Sequence, residues 1–180
     1  NSVSFENCTL SGNGAYALIR SYADLYVDNL IVNTANANHN DNYTEGVEAV
    51  SGASLTANNL VYVVENDEAL AREIATAQTD KVILLAEGTY SQNIDLTVAA
   101  LGEAKGNLVF KAAEGAEAVI AGTVTLGYRN QGVGAEMWDA NVTFDGITFD
   151  HAVAATHSFD VQDVKSLTLK NCTIIGDGEY

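Results

Sequence analysis

The sequence predicts an all-β fold, a solenoid built of stacked β-coils, and three observations carry that expectation. A short phrase recurs five times; its two halves alternate apolar and polar residues; and the copies are spaced like solenoid turns. The phrase runs apolar, polar, apolar, then Asp, Glu, Asn or Lys, then Asn or Gly, then apolar, polar, apolar. Its copies begin at Val3, Leu25, Leu55, Val142 and Leu167. Neighbouring copies start 22, 30 and 25 residues apart. Alternation with period two buries one face of a strand. The corner residues Asn7, Asn29, Asn59, Gly146 and Asn171 are types that tolerate a left-handed backbone. Repeats of 20–50 residues mark stacked architectures.

The first three copies fill residues 1–63. Between the second and third lies an Asn-rich polar stretch, Asn33 to Gly46, read as a protruding loop. The pattern then changes. Asp67 to Ala77 reads as one short helix: Asn66 or Asp67 caps it, acids fill its first turn, and Leu70, Ile74 and Ala77 share a face. Glu68 and Arg72 stand four apart in the favourable order. Strands follow at Lys81–Leu85, around Ile94 and Leu96, at Leu108–Lys111, and near Ile120 and Leu126. A helix placed before a run of coils is what covers the open end of a solenoid. The expected organisation is therefore the last coils of one module over 1–63, then the cap and first coils of the next over 64–180.

A second repeat points the same way. Residues 1–16 align without gaps on 165–180, matching Ser2 with Ser166, Asn7-Cys8-Thr9 with Asn171-Cys172-Thr173, and Tyr16 with Tyr180. This implies a module of about 164 residues repeated in tandem, with the chain cut out of register from a longer polypeptide.

Composition bounds the function. Of the 180 residues 47% are hydrophobic, enough for a core, and the formal net charge is −16. Such a charge repels nucleic-acid phosphates and anionic membrane surfaces. Lys and Arg total eight, too few for a broad basic face. No apolar run is long enough to span a membrane. Proline is absent, as suits ladders that use every backbone donor. Cys8 and Cys172 take the inward slot held elsewhere by Leu30, Leu60 and Ile147, and read as two buried free thiols acting as small apolar fillers.

The second segment resembles the amino-terminal part of pectate-lyase-like proteins. The resemblance rests on Leu84-Leu85-Ala86-Glu87-Gly88-Thr89-Tyr90, on Asn107 to Gly122, and on Val142-Thr143-Phe144-Asp145-Gly146-Ile147-Thr148-Phe149. Their order looks like the start of the chondroitinase-B and alginate-lyase branch, and similar coils build surface adhesins and stalks. The resemblance implies a right-handed parallel β-helix whose short capping α-helix lies near 67–77. That branch's chemistry needs a base beside a uronate carboxylate and a calcium ion or arginine to neutralise it. In the family those groups sit on later coils, so no catalytic residue carries over.

Candidate sites are few. Asp145, Asp150, Asp160 and Asp163, with His151 and His157, form an acid-and-His cluster after the fourth copy, a calcium or sugar site if it converges and a solvated corner if it does not. Tyr128, Arg129 and Trp138 form a polar aromatic loop suited to stacking a sugar or to covering an apolar flank. His39, Asp41 and Tyr43 lie on the Asn-rich loop, a candidate partner contact. The corner row Asn7, Asp28, Asn29, Asn58, Asn59 and Asn171 reads as an amide ladder running from coil to coil. The expected function is a non-catalytic, extracellular or cell-surface β-helical repeat of a bacterial protein: a stalk, adhesin or filament module. Its partners would be further copies at the open coil ends, with glycans second and no cofactor. The alternatives are a polysaccharide-active, lyase-like module and a carbohydrate-binding β-helix.

Overall fold

A computed structural model of the chain describes residues 1–12, 19–34, 47–75, 81–97, 106–127, 138–151, 159–162 and 164–176. These residues form sixteen strands and one helix. The first half holds β1 (Ser2–Gly12), β2 (Ile19–Ser21), β3 (Asp24–Thr34), β4 (Val47–Ala49) and β5 (Leu55–Val64), then α1 (Asp67–Ala75). There follow β6 (Lys81–Leu85), β7 (Gly88–Tyr90), β8 (Ile94–Thr97), β9 (Gly106–Ala112), β10 (Ala118–Ile120) and β11 (Val124–Gly127). The last are β12 (Trp138–Asp145), β13 (Thr148–Asp150), β14 (Phe159–Val161), β15 (Val164–Lys170) and β16 (Thr173–Ile175).

The fold is predominantly β, and its sheets are parallel. One seven-stranded sheet runs β1-β3-β5-β6-β9-β12-β15. A four-stranded sheet runs β16-β13-β10-β7, a three-stranded one β14-β11-β8, and β2 pairs with β4. From β6 onward the chain visits the three larger sheets in rotation, laying each new strand beside the one placed a turn earlier. Parallel neighbours require a crossover between them; β5 and β6 are joined through α1, and from β6 onward the described part of each crossover is itself made of strands. This arrangement is compatible with a β-helix.

The corners form as the residue types predict. Asn7, Asn29, Asn59 and Asn171 have φ between 51° and 52°, and Gly146 has 74°. A left-handed backbone costs most L-residues roughly 1–2 kcal/mol and costs Asn and Gly least. In each of the first three copies the strand runs on through the corner: Cys8 pairs with Leu30 and Leu30 with Leu60.

One expectation is corrected here. The five copies do not share a column. The trailing half of the third copy (Val61–Val64) pairs with Val82–Leu85 of β6, and β6 pairs with β9. In the fourth and fifth copies it is the leading half that joins this sheet, as Val142 lies beside Leu108 and Leu167. The phrase thus slips by half its length between the third and fourth copies. The cause is local to the chain between Val64 and Lys81. There α1 replaces the segment that would have supplied another leading half, and the next strand lands on the trailing half of β5. Among the described residues no strand pairs with Leu55–Asn58 on the side away from β3. Cys8 and Cys172 consequently sit at two different corners rather than in one row.

The helix has the expected cap. Asn66 Oδ1 accepts a hydrogen bond from Ala69 N at 2.9 Å. It buries Ala69, Leu70, Glu73 and Ile74, while residues 76–80, including Ala77, lie outside the described residues. The core divides at this point. One cluster gathers Ile19, Leu25, Val27, Leu30, Val32, Val47, Leu60 and Tyr62. The other starts at Val64, takes in α1, and runs to Phe149. The seven-stranded sheet crosses the division unbroken, so backbone pairing is continuous where side-chain packing is not. Within the second cluster Phe110 stacks on Phe144 with centroids 4.9 Å apart, and Phe149 meets Phe144 edge-on at 5.3 Å.

Candidate functional site

The chemistry that the fold repeats is amide bonding between stacked strands. Asn29 Nδ2 donates to Asn7 Oδ1 at 2.8 Å, and Asn58 Nδ2 donates to Asp28 Oδ1 at 2.8 Å. At the second corner Asn171 Nδ2 donates to Asp145 Oδ1 at 2.9 Å. A further row, not foreseen, joins Asn141 Nδ2 to Asn107 Oδ1 at 3.1 Å and Ser166 Oγ to Asn141 Oδ1 at 2.7 Å. Its signal in the sequence is a polar residue (Asn107, Asn141 or Ser166) opening the apolar-polar-apolar run on each of three strands. In every amide bond of these rows the donor lies on the later strand and the acceptor on the earlier one. Of the expected corner row, Asn7, Asp28, Asn29, Asn58 and Asn171 make such bonds, and the slip splits them between two corners.

Similar bonds link turns elsewhere. Asp24 accepts from Ser54 N at 3.0 Å and Ser54 Oγ at 2.9 Å. Ser54's backbone N–H, and then its hydroxyl, hold the exposed Asp24 carboxyl below the usual carboxylate value. Asn93 Oδ1 accepts from Thr123 N at 3.0 Å. Gly122 passes so near the turn between β7 and β8 that a Cβ there would overlap the Gln92 backbone.

The helix meets the sheet through charge. Lys81 begins β6 on its inward face and is buried. Its Nζ lies 2.8 Å from Glu73 Oε2, donates to the Glu73 carbonyl at 3.0 Å, and sits 4.4 Å from the centre of the Tyr62 ring. Arg72 Nε adds a contact to Glu73 Oε1 at 3.4 Å. This pair lies where the two apolar clusters divide. Tyr90 is also buried; its hydroxyl lies 2.9 Å from Val64 O and 3.1 Å from Ala86 O. Desolvation first, and then the charges of Glu65 and Asp67, push its pKa up to about 12 against the bond to Ala86.

The acid cluster is spread over three sheets. Asp145 ends β12 beside Asn171 and Lys170, Asp150 ends β13, and Asp160 lies in β14 accepting from Gln162 Nε2 at 3.1 Å. His151 follows β13 and is buried. Among the described residues no three His, Cys, Asp or Glu side chains are placed to hold one metal ion. Asp163 and His157 lie outside the described residues, as do Tyr128, Arg129, His39, Asp41 and Tyr43. Trp138 opens β12 opposite Val164, just before an irregularity in register. An open notch of about 230 Å³ lies where β5 loses its neighbour, lined by Asn58, Asn59, Lys81, Val82, Asn107 and Val109 among others.

The two outermost strands of the large sheet repeat the interior pattern but leave it uncovered. Leu30, Val142, Phe144 and Ile147 are fully buried. On these outermost strands Val3 is 41% exposed and Leu169 39%, and on β16, the outer strand of the four-stranded sheet, Ile174 is 55% exposed. Both cysteines are free but only half-buried, not buried as expected, because Cys8 on β1 and Cys172 between β15 and β16 lie at outer edges with no strand beyond them among the described residues. Each donates to the carbonyl two residues earlier, Cys8 to Glu6 O and Cys172 to Lys170 O, both at 3.3 Å. The two outer corners therefore share one local geometry.

No family model matches the chain, and no curated protein or solved structure matches it either. Among the described residues no helix is long and apolar enough to cross a membrane.

Proposed function

We propose that the chain is a segment of a right-handed parallel β-helix acting as a structural repeat, without catalysis, in an extracellular or surface-exposed stalk, adhesin or filament of a bacterium. The observation that carries this reading is the state of the terminal coils. They keep the corner conformation, inward apolar slots and amide chemistry of interior coils, yet present those slots to solvent. Exposed apolar slots on an unpaired strand edge form a surface that another coil can cover. The rotation of the chain through three parallel sheets supports the β-helical form, and the amide rows support a rod held together turn by turn. The acidic surface then keeps a β-rich rod soluble and limits lateral association.

Light scattering across a concentration series, with and without calcium, tests this function. Growth in mass without calcium, with particles lengthening along one axis, is the expected result. A compact monomer at high concentration argues against it and in favour of a glycan-directed role.

A further inference from the structure

We infer that the open edge formed by β15 and β16 receives β1 of a second copy of this chain, with residue n of the second copy lying on residue n + 164 of the first. The inference rests on the structural reading above and adds to it a partner segment, a direction and a register.

Corner geometry fixes the register. Outside the slip after β5, stacked strands put corner on corner, as Asn29 lies on Asn7 and Asn171 beside Asp145-Gly146. Among the described residues the corners at the two ends of the stack are Asn171 and Asn7, with φ of 52° and 51°; Asn59 is also uncovered on one side, but it lies mid-stack, where β6 already covers the other half of its strand. Placing Asn7 on Asn171 puts Val3 on Leu167, Phe5 on Leu169, Cys8 on Cys172 and Leu10 on Ile174. Every inward slot then meets an apolar residue or a thiol. A shift by one residue would turn each of these side chains to the wrong face.

Two polar features favour the same placement. Amide bonding in the rows runs from the later strand to the earlier. With that polarity, Asn7 of the added copy donates to Asn171 Oδ1, while Asn171 keeps its bond to Asp145. The first corner position brings Glu6 of the added copy over Lys170, whose side chain is 64% exposed. In a chain of net charge −16, a Lys meeting a Glu at this point is a directed contact. The interface is head to tail, so it does not close on itself, and it propagates. The second copy is turned by one face about the stack, because Asn7 and Asn171 occupy different corners.

The two thiols report the register. Residues on neighbouring parallel strands bring their Cα atoms within disulfide range, roughly 4.4–6.8 Å. Copper-phenanthroline serves as the oxidant, taking two electrons as two thiols lose their protons and form one disulfide. The wild-type chain should give a ladder of covalent dimers, trimers and higher species. Cys8→Ser alone and Cys172→Ser alone should each give no covalent species while still associating, and their mixture should give covalent dimers only. Lys170→Glu should weaken association about fivefold, and adding Glu6→Lys should restore it. Covalent dimers from either single variant, or assemblies that scatter light but never cross-link, would overturn the register and leave the structural reading standing. A wild-type chain that neither assembles nor cross-links overturns both.

Discussion

Asn29 does two jobs that substitution can separate. It holds a left-handed corner and it donates to Asn7. Asn29→Gly keeps the backbone and loses the amide bond, so it should cost about 1 kcal/mol. Asn29→Ala loses the bond and also takes on the left-handed penalty, for roughly 2–3 kcal/mol in all. Urea unfolding of the two variants checks the order, and an alanine as mild as the glycine would show that the corner conformation carries no cost. Tyr90 gives a pH test. Its folded pKa of about 12 lies above the ordinary 10.0. Its contribution is therefore complete below pH 10 and is lost as pH rises toward 12, because the unfolded chain releases the proton first. The slope in that window is about 1.4 kcal/mol per pH unit. Tyr90→Phe should be less stable by about 1 kcal/mol at neutral pH yet lose stability less steeply above pH 10, measured by unfolding at a series of pH values. The corners were legible in the sequence because left-handed tolerance is a property of the residue itself. Tyr90 was not, because its burial depends on strands far along the chain.

Helix α1 was legible from Asn66, the acids of its first turn and the apolar face at Leu70 and Ile74. What it does to the stack was not. The slip between the third and fourth copies depends on which half of β5 meets β6, and no local pattern encodes that long-range register. Nor did the sequence show that Lys81, at the head of an alternating strand, points inward to Glu73. That pair is buried, with side chains 6% and 8% exposed. Removing one partner strands the other charge, so Glu73→Ala should destabilise by about 3–5 kcal/mol. Replacing both, as Glu73→Leu with Lys81→Met, should recover most of that loss. Thermal or urea unfolding of the single and double variants tests this. A double variant as unstable as the single one would mean that the pair holds the helix on the sheet by more than mutual neutralisation.

At the scale of the whole molecule, the predominantly β structure and its parallel strands were readable from five copies of one phrase. The division of the core was foreshadowed only by the change of pattern after Val64. The acid cluster scattered because Asp145, Asp150 and Asp160 fall on successive sheets, and residues close in sequence turn to different faces at each corner. The central claim is that seven rungs form one unit of a stack that continues end to end. Electron microscopy of the concentrated protein, with fibre diffraction of the aligned sample, tests this most directly. Seven strands at about 4.8 Å should give an axial rise of about 34 Å per copy over a strand spacing of about 4.8 Å along the same axis. Discrete particles of one length at every concentration, or filaments whose strand spacing runs across the axis, would contradict the account.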